Sequence, residues 1–299
     1  MGDATKIAEA GGVSTDAHAL LLRLRGTMEL VRGEFATATT TFQQALDLTT
    51  DASPRALVSR LHIDLGNCYE RQDDIAKARA AYRETLEFGQ RREDPYTLAR
   101  SYLFLASLEE AADPEHCLVL LDQSRELIRD HALTHLQIYV PLLAGQAKLC
   151  LGDGLGGADE FREGLRLAEE IGEPMSIAAA HVGLGEALAH ANCDTAAIHL
   201  DAGVQAAMAT KCLPYVVWAA WVIAHCILKV NPNDDEAATL LSQSVAHPNL
   251  APSIRPRAIA AAEAAGVIDL TTNANTSGSL LDGDLDQVGE QLLKLIRFH

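Results

Sequence analysis

Aromatic side chains are scarce in this sequence, 5% of 299 residues, and proline is held to 10 positions. Alanine is abundant and β-branched runs are few, so the chain reads as all-helical and the material for a packed sheet is missing. Basic residues are also in deficit, with 24 Lys and Arg against 41 Asp and Glu and a net charge of −17. A nucleic-acid backbone or an anionic membrane needs concentrated cations, so neither is expected as a partner. The deficit deepens along the chain, from 16 basic against 22 acidic residues up to Cys150 to 8 against 19 after it. No run reaches the roughly 18 apolar residues of a membrane span, and Met1 to Thr15 has no apolar core of signal-peptide length. The six cysteines contain no C-x-x-C pair and sit mostly among apolar residues, which fits small core positions in a reducing compartment. A cytoplasmic location is the expectation.

Catalytic patterns are missing too. There is no G-x-S-x-G, no H-E-x-x-H and no carboxylate-rich calcium loop. Among the eleven histidines, His131 and His135 stand four apart but lack a third ligand at a zinc-like interval, and His181 and His190 fall on different faces of one helix. His225-Cys226 lies in an apolar run that reads as core. Gly152 to Gly157 is glycine-rich, yet it follows a helical segment and no Gly-Lys-Ser/Thr is present, so it reads as a turn and not a phosphate cradle. Neither an enzyme nor a metal or cofactor site is expected.

What the sequence does have is a period. Gly66 is followed by Tyr69, Ala78, Tyr82 and Thr85, and forty residues earlier Gly26 is followed by Ala38, Phe42 and Ala45 at the same offsets. Ala106, Gly145 and Gly185 continue the series at intervals of 40, 39 and 40, with Phe161 and Gly164 again placed as in the second unit. In the third and fifth units Cys117, Leu121 and Ser124, and Ala196, Leu200 and Gly203, run one residue early. Two helices in a hairpin need a small residue where they cross and a large one to fill the wedge. A fixed period of this length means stacked hairpins.

These marks, small-x-x-aromatic in the first helix and Ala-x-x-x-aromatic-x-x-small in the second, resemble the tetratricopeptide repeat family. The period exceeds that family's usual 34 and overlaps the HEAT range, so HEAT-like stacking is the structural alternative. The resemblance implies an all-α, right-handed superhelical solenoid of about six repeats whose first helices line a concave groove. Its groove positions carry over to Arg23 and Thr27 in the first repeat, Arg60, Asn67 and Glu70 in the second, and Arg100 and Ser107 in the third. Tyr139 and Gln146 follow in the fourth and Glu186 in the fifth. Arg23, Arg60 and Arg100 would form a basic spine, and arginine grips carboxylates bidentately.

Repeats are expected near 16–53, 54–94, 95–131, 132–173, 174–213 and 214–248, after a loose lead-in over 1–15. Proline punctuates several of these boundaries, at Ser53-Pro54, Asp94-Pro95, Glu173-Pro174 and Leu213-Pro214. Pro141 must kink its helix or mark its true start. Tyr215 to Val230 is apolar nearly all round and must be covered on every side. A short helix over 249–266, a polar linker over 267–283 and an amphipathic helix over 284–299 follow, and the last is expected to cap the apolar end or to plug the groove. Repeats of this length with such a tail also resemble the sensor ends of large bacterial signal-transduction ATPases and related transcriptional regulators. The function expected is a non-catalytic scaffold or sensor that binds a protein or peptide, the alternative being a small-molecule inducer held in the groove.

Overall fold

The computed structural model describes residues 14–32, 34–189, 191–267, 281 and 283–298. The expected lead-in and linker, and His190, lie largely or wholly outside them. Among the described residues there are fourteen α-helices, one short 3-10 turn and no strand. The helices are α1 (Thr15–Val31), α2 (Phe35–Asp47), α3 (Arg55–Arg71), α4 (Ile75–Arg92), α5 (Pro95–Glu109), α6 (Pro114–Asp130) and α7 (Tyr139–Cys150). They continue as α8 (Gly154–Ile171), α9 (Pro174–Ala189), α10 (Cys193–Ala209), α11 (Leu213–Val230), α12 (Asp235–Ala246), α13 (Arg255–Ala264) and α14 (Leu285–Phe298).

Short acidic or amide side chains start many of these helices. Asp74, Asp153, Asn192 and Asp234 each accept a hydrogen bond from the backbone N–H three residues on, and so satisfy a donor that the helix leaves open. The acid-proline starts do the same: Asp94 accepts from the Tyr96 and Thr97 N–H groups at 3.2 and 3.4 Å, and Glu173 from the Ser176 N–H at 2.6 Å. Ser14 caps α1, its side chain accepting from the Ala17 N–H, and Pro54 stands at the cap of α3. Pro141 lies in the first turn of α7, where a missing N–H is harmless, so the proline marks a start and not a kink. Only Leu151 to Asp153 separate α7 from α8, and the remaining glycines of that stretch are already helical.

The chain divides into two compact units, one of residues 1–108 and 123–133, the other of 109–122 and 134–299. In the first, α1 packs on α2, α2 on α3 and α3 on α4, and α1 also touches α3. The periodic small residues explain the crossings. A Cβ on Gly26 would come within 2.6 Å of the Phe42 ring, and one on Gly66 would enter the Tyr82 ring outright. Tyr82 in turn stacks on Phe104 of α5 with ring centroids 5.1 Å apart.

In the second unit α7 to α12 form successive hairpins, and first helices touch first helices: α7 meets α9 and α9 meets α11. The same lock recurs, with Phe161 at 2.8 Å from a Cβ on Gly145 and Leu200 at 2.6 Å from one on Gly185. Against the expectation that no run reaches membrane-span length, helix α11 is long and apolar enough to cross a membrane by length and composition, but it is the buried centre of this unit. It is packed by α9, α10 and α12 and by both terminal helices, α13 and α14.

Candidate functional site

The first helices of the first unit carry the three arginines read as a spine. Arg23 on α1 and Asp64 on α3 form an ion pair at 2.7 Å. Asp64 is the hub: burial raises its carboxyl above the usual range, and the charges of Arg23, Arg100 and Arg60 pull against that shift. Sequence reasoning passed over Asp64, although its place four residues after Arg60 on a helix is the signal that could have found it. The guanidinium of Arg100 lies over the rings of Tyr96 and Phe104, at 5.5 and 5.6 Å from their centroids, which holds the charge in place by cation–π attraction. Arg60 is exposed.

Arg23 and Arg60 face one cleft of about 330 Å³ between α1 and α3, lined also by Asp16, Ala17, Leu20, Pro54, Ala56 and Leu57. Leu20, Leu24 and Met28 continue an exposed apolar stripe along α1 at four-residue spacing. The arrangement offers one exposed guanidinium, Arg60, beside the Arg23–Asp64 pair and an apolar wall, which suits an organic anion or an acidic peptide.

The other expected positions behave differently. Asn67 and Glu70 both accept from the Tyr82 hydroxyl, at 2.7 and 3.1 Å, so they brace the hairpin lock, and burial raises the Glu70 carboxyl. The hydroxyls of Thr27 and Ser107 donate to carbonyls of their own helices. In the second unit Tyr139 is exposed, whereas Gln146 and Glu186 are buried. Those two close on a residue not expected at all. Arg257 of α13 donates to Glu186 Oε1 at 2.5 Å and Oε2 at 3.2 Å, to Gln146 Oε1 at 2.5 Å and to Cys150 Sγ at 2.9 Å. Glu186 also accepts from the Trp218 indole N–H at 2.6 Å. Burial works against the Arg257 charge, but the Glu186 carboxylate more than offsets it and lifts the guanidinium pKa still higher. Burial likewise raises the Cys150 thiol, with Arg257 opposing.

Arg257 also answers the question of what lies on the first-helix face of this unit. Helix α13 reaches it, whereas α14 packs on α10 and α11. One further titratable pair lies apart, with His181 Nδ1 and His199 Nδ1 3.2 Å from each other. Burial lowers both imidazoles, helped by mutual repulsion at His181 and by Arg162 at His199.

Successive antiparallel helix pairs with a small-on-aromatic lock make this an all-α helical-repeat protein. Residues 16–91 match the family profile described as tetratricopeptide repeat. Two solved structures are similar in fold. A Rap protein complexed with competence and sporulation factor aligns with a TM-score of 0.63 at 14% identity, over 98% of this chain and 81% of that one. A signal transduction ATPase with numerous domains from Pyrococcus horikoshii, which carries a tetratricopeptide repeat sensor, aligns with a TM-score of 0.56 at 13% identity. That alignment covers 92% of this chain and 44% of the other, so this chain spans under half its length. No curated protein matches.

Proposed function

We propose that the chain is a non-catalytic binding module that takes a protein or peptide partner on the first-helix face of its first unit, in a signalling or regulatory setting. The partner presents a carboxylate to Arg60 and Arg100 and an apolar side chain to the Leu20 wall. The observation that carries this reading is the cleft in which exposed Arg60 stands beside the Arg23–Asp64 pair. Support comes from the repeat family, whose members are interaction scaffolds, and from the fold likeness to a protein complexed with competence and sporulation factor and to one with a tetratricopeptide repeat sensor. Asn67, Glu70, Thr27 and Ser107 brace the helices that carry this face, and Tyr139 lies in the second unit.

Peptide-array binding tests it. Wild type selects acidic sequences, and the Arg60→Ala/Arg100→Ala double variant loses on the order of tenfold in affinity or more, since a hydrogen bond to a charged group contributes about 1.5–3 kcal/mol. Equal binding by both proteins overturns the assignment. A second reading, a small-molecule inducer in the same cleft, is favoured by the cleft's volume, which sits at the low end of the range for small-molecule pockets. A metabolite that raises Tm in proportion to ln(1 + [L]/Kd), in wild type and not in Arg60→Ala, would select it.

A further inference from the structure

The pocket around Arg257 is assembled almost entirely by other elements. Gln146 and Cys150 come from α7 and Glu186 from α9, so two consecutive first helices supply the side-chain acceptors, and Trp218 of the third, α11, donates to Glu186 and holds it. What they accept is a planar fork. Glu186 takes Nε and one terminal nitrogen, Gln146 shares that nitrogen, and the other goes to Cys150 and to the Ser253 carbonyl at 3.1 Å. This is the pattern of a guanidinium site, which an ammonium cannot satisfy because it lacks a fixed fork of donors.

The segment that delivers Arg257 is a short helix of small side chains. Within α13 only Ala258 and Ala262 are fully buried, and alanine buries little apolar area. Ile259 packs half-buried against the core, and Leu250 and Ile254, both buried, precede the helix; the polar grip runs through Arg255 to the carbonyls of Val245, His247 and Leu250 and through Arg257 itself. The surroundings favour cations. The second unit carries 9 Lys and Arg against 24 Asp and Glu, while the first carries 15 against 17.

We propose that the first-helix face of the second unit is an arginine-recognition site, occupied in cis by Arg257, and that an arginine side chain on a peptide partner takes its place as α13 undocks. Glu186 is the anchor, held in position by the Trp218 indole. Gln146 and Cys150 read the planarity of the incoming group. The site shares no residue with the Arg60 cleft and stands whether or not that cleft binds an acidic partner.

The test uses the full chain and two probes, a capped Gly-Arg-Gly tripeptide and its Gly-Lys-Gly counterpart, at matched millimolar concentration. In wild type, amide exchange over residues 255–264 accelerates on the order of tenfold with the arginine probe and stays unchanged with the lysine probe. No acceleration, or equal acceleration by both, overturns the proposal. In Arg257→Ala, ethylguanidinium raises Tm and ethylammonium does not, and the gain vanishes in Arg257→Ala/Glu186→Gln. A gain that survives the Glu186 change overturns it as well. Should Arg257→Ala not fold, the wild-type exchange experiment decides alone.

Discussion

At the scale of single residues the repeat rests on a contact that tolerates no extra atom. Gly66 abuts the Tyr82 ring, while the Tyr82 hydroxyl is tied to Asn67 and Glu70 and its ring to Phe104. The ring therefore has nowhere to go when a methyl group is added. Gly66→Ala is expected to destabilise the first unit by about 1–3 kcal/mol, the usual penalty for overpacking, even though alanine is the better helix former. The check is urea unfolding of the variant beside Gly152→Ala. That second glycine has φ of 78° but no atom within 4 Å, so its penalty is backbone strain without overlap. If Gly66→Ala proves neutral or stabilising, the close crossing is not what holds the hairpin. The same lock was readable without coordinates, because small and aromatic residues recur at +16 from one another. The bonds behind the ring were not, since Asn67 and Glu70 look like surface polar residues until the Tyr82 hydroxyl is seen between them.

At the scale of elements the terminal helix decides whether α11 can stay in water. Helix α11 is apolar on all sides, and α14 covers part of it together with α10, through Val288 and Leu292, both fully buried. A charge at Leu292 would have to be buried unpaired or else expel the helix. Leu292→Asp is accordingly expected to release α14 and to expose the α10–α11 surface. Dye binding to apolar surface and concentration-dependent association would report it, and the charge-reversed Lys211→Glu variant serves as control, since it breaks only the surface ion pair with Asp286. A Leu292→Asp protein that stays monomeric and binds no dye would show that α14 is dispensable cover. Periodicity made α14 legible as an amphipathic helix and made α11 legible as one needing extra cover. It could not say which helix would lie on which face. The face that α13 takes is marked by Arg257, a single long side chain in an alanine-rich segment, and such a segment leaves little trace in a hydrophobic period. The basic spine was legible as three arginines at matched positions. Its partial neutralisation by Asp64 was not, because repeat alignment compares like positions and Asp64 has no counterpart in the other repeats.

At the scale of the whole molecule the net charge of −17 is unevenly shared, about −2 on the first unit and −15 on the second by formal count. Long-range fields act on approach and are screened over roughly 10 Å at 0.1 M salt, while bonds made in a desolvated pocket are screened far less. An acidic peptide bound for the Arg60 cleft meets a local attraction inside a molecule that repels it from a distance. Added salt removes the repulsion first. An arginine peptide bound for Glu186 meets attraction at every range, and salt can only weaken its approach. Association rates should thus respond in opposite directions as ionic strength rises from about 10 to 150 mM: upward or flat for the acidic ligand, downward by severalfold for the arginine ligand. Stopped-flow measurements at matched peptide concentration would read both. Two falling rates would place the acidic ligand's encounter under the arginines' own field, with the net charge irrelevant. A rate for the arginine ligand that is indifferent to salt would mean that its capture is not steered by the acidic unit, and that undocking of α13 alone sets the pace.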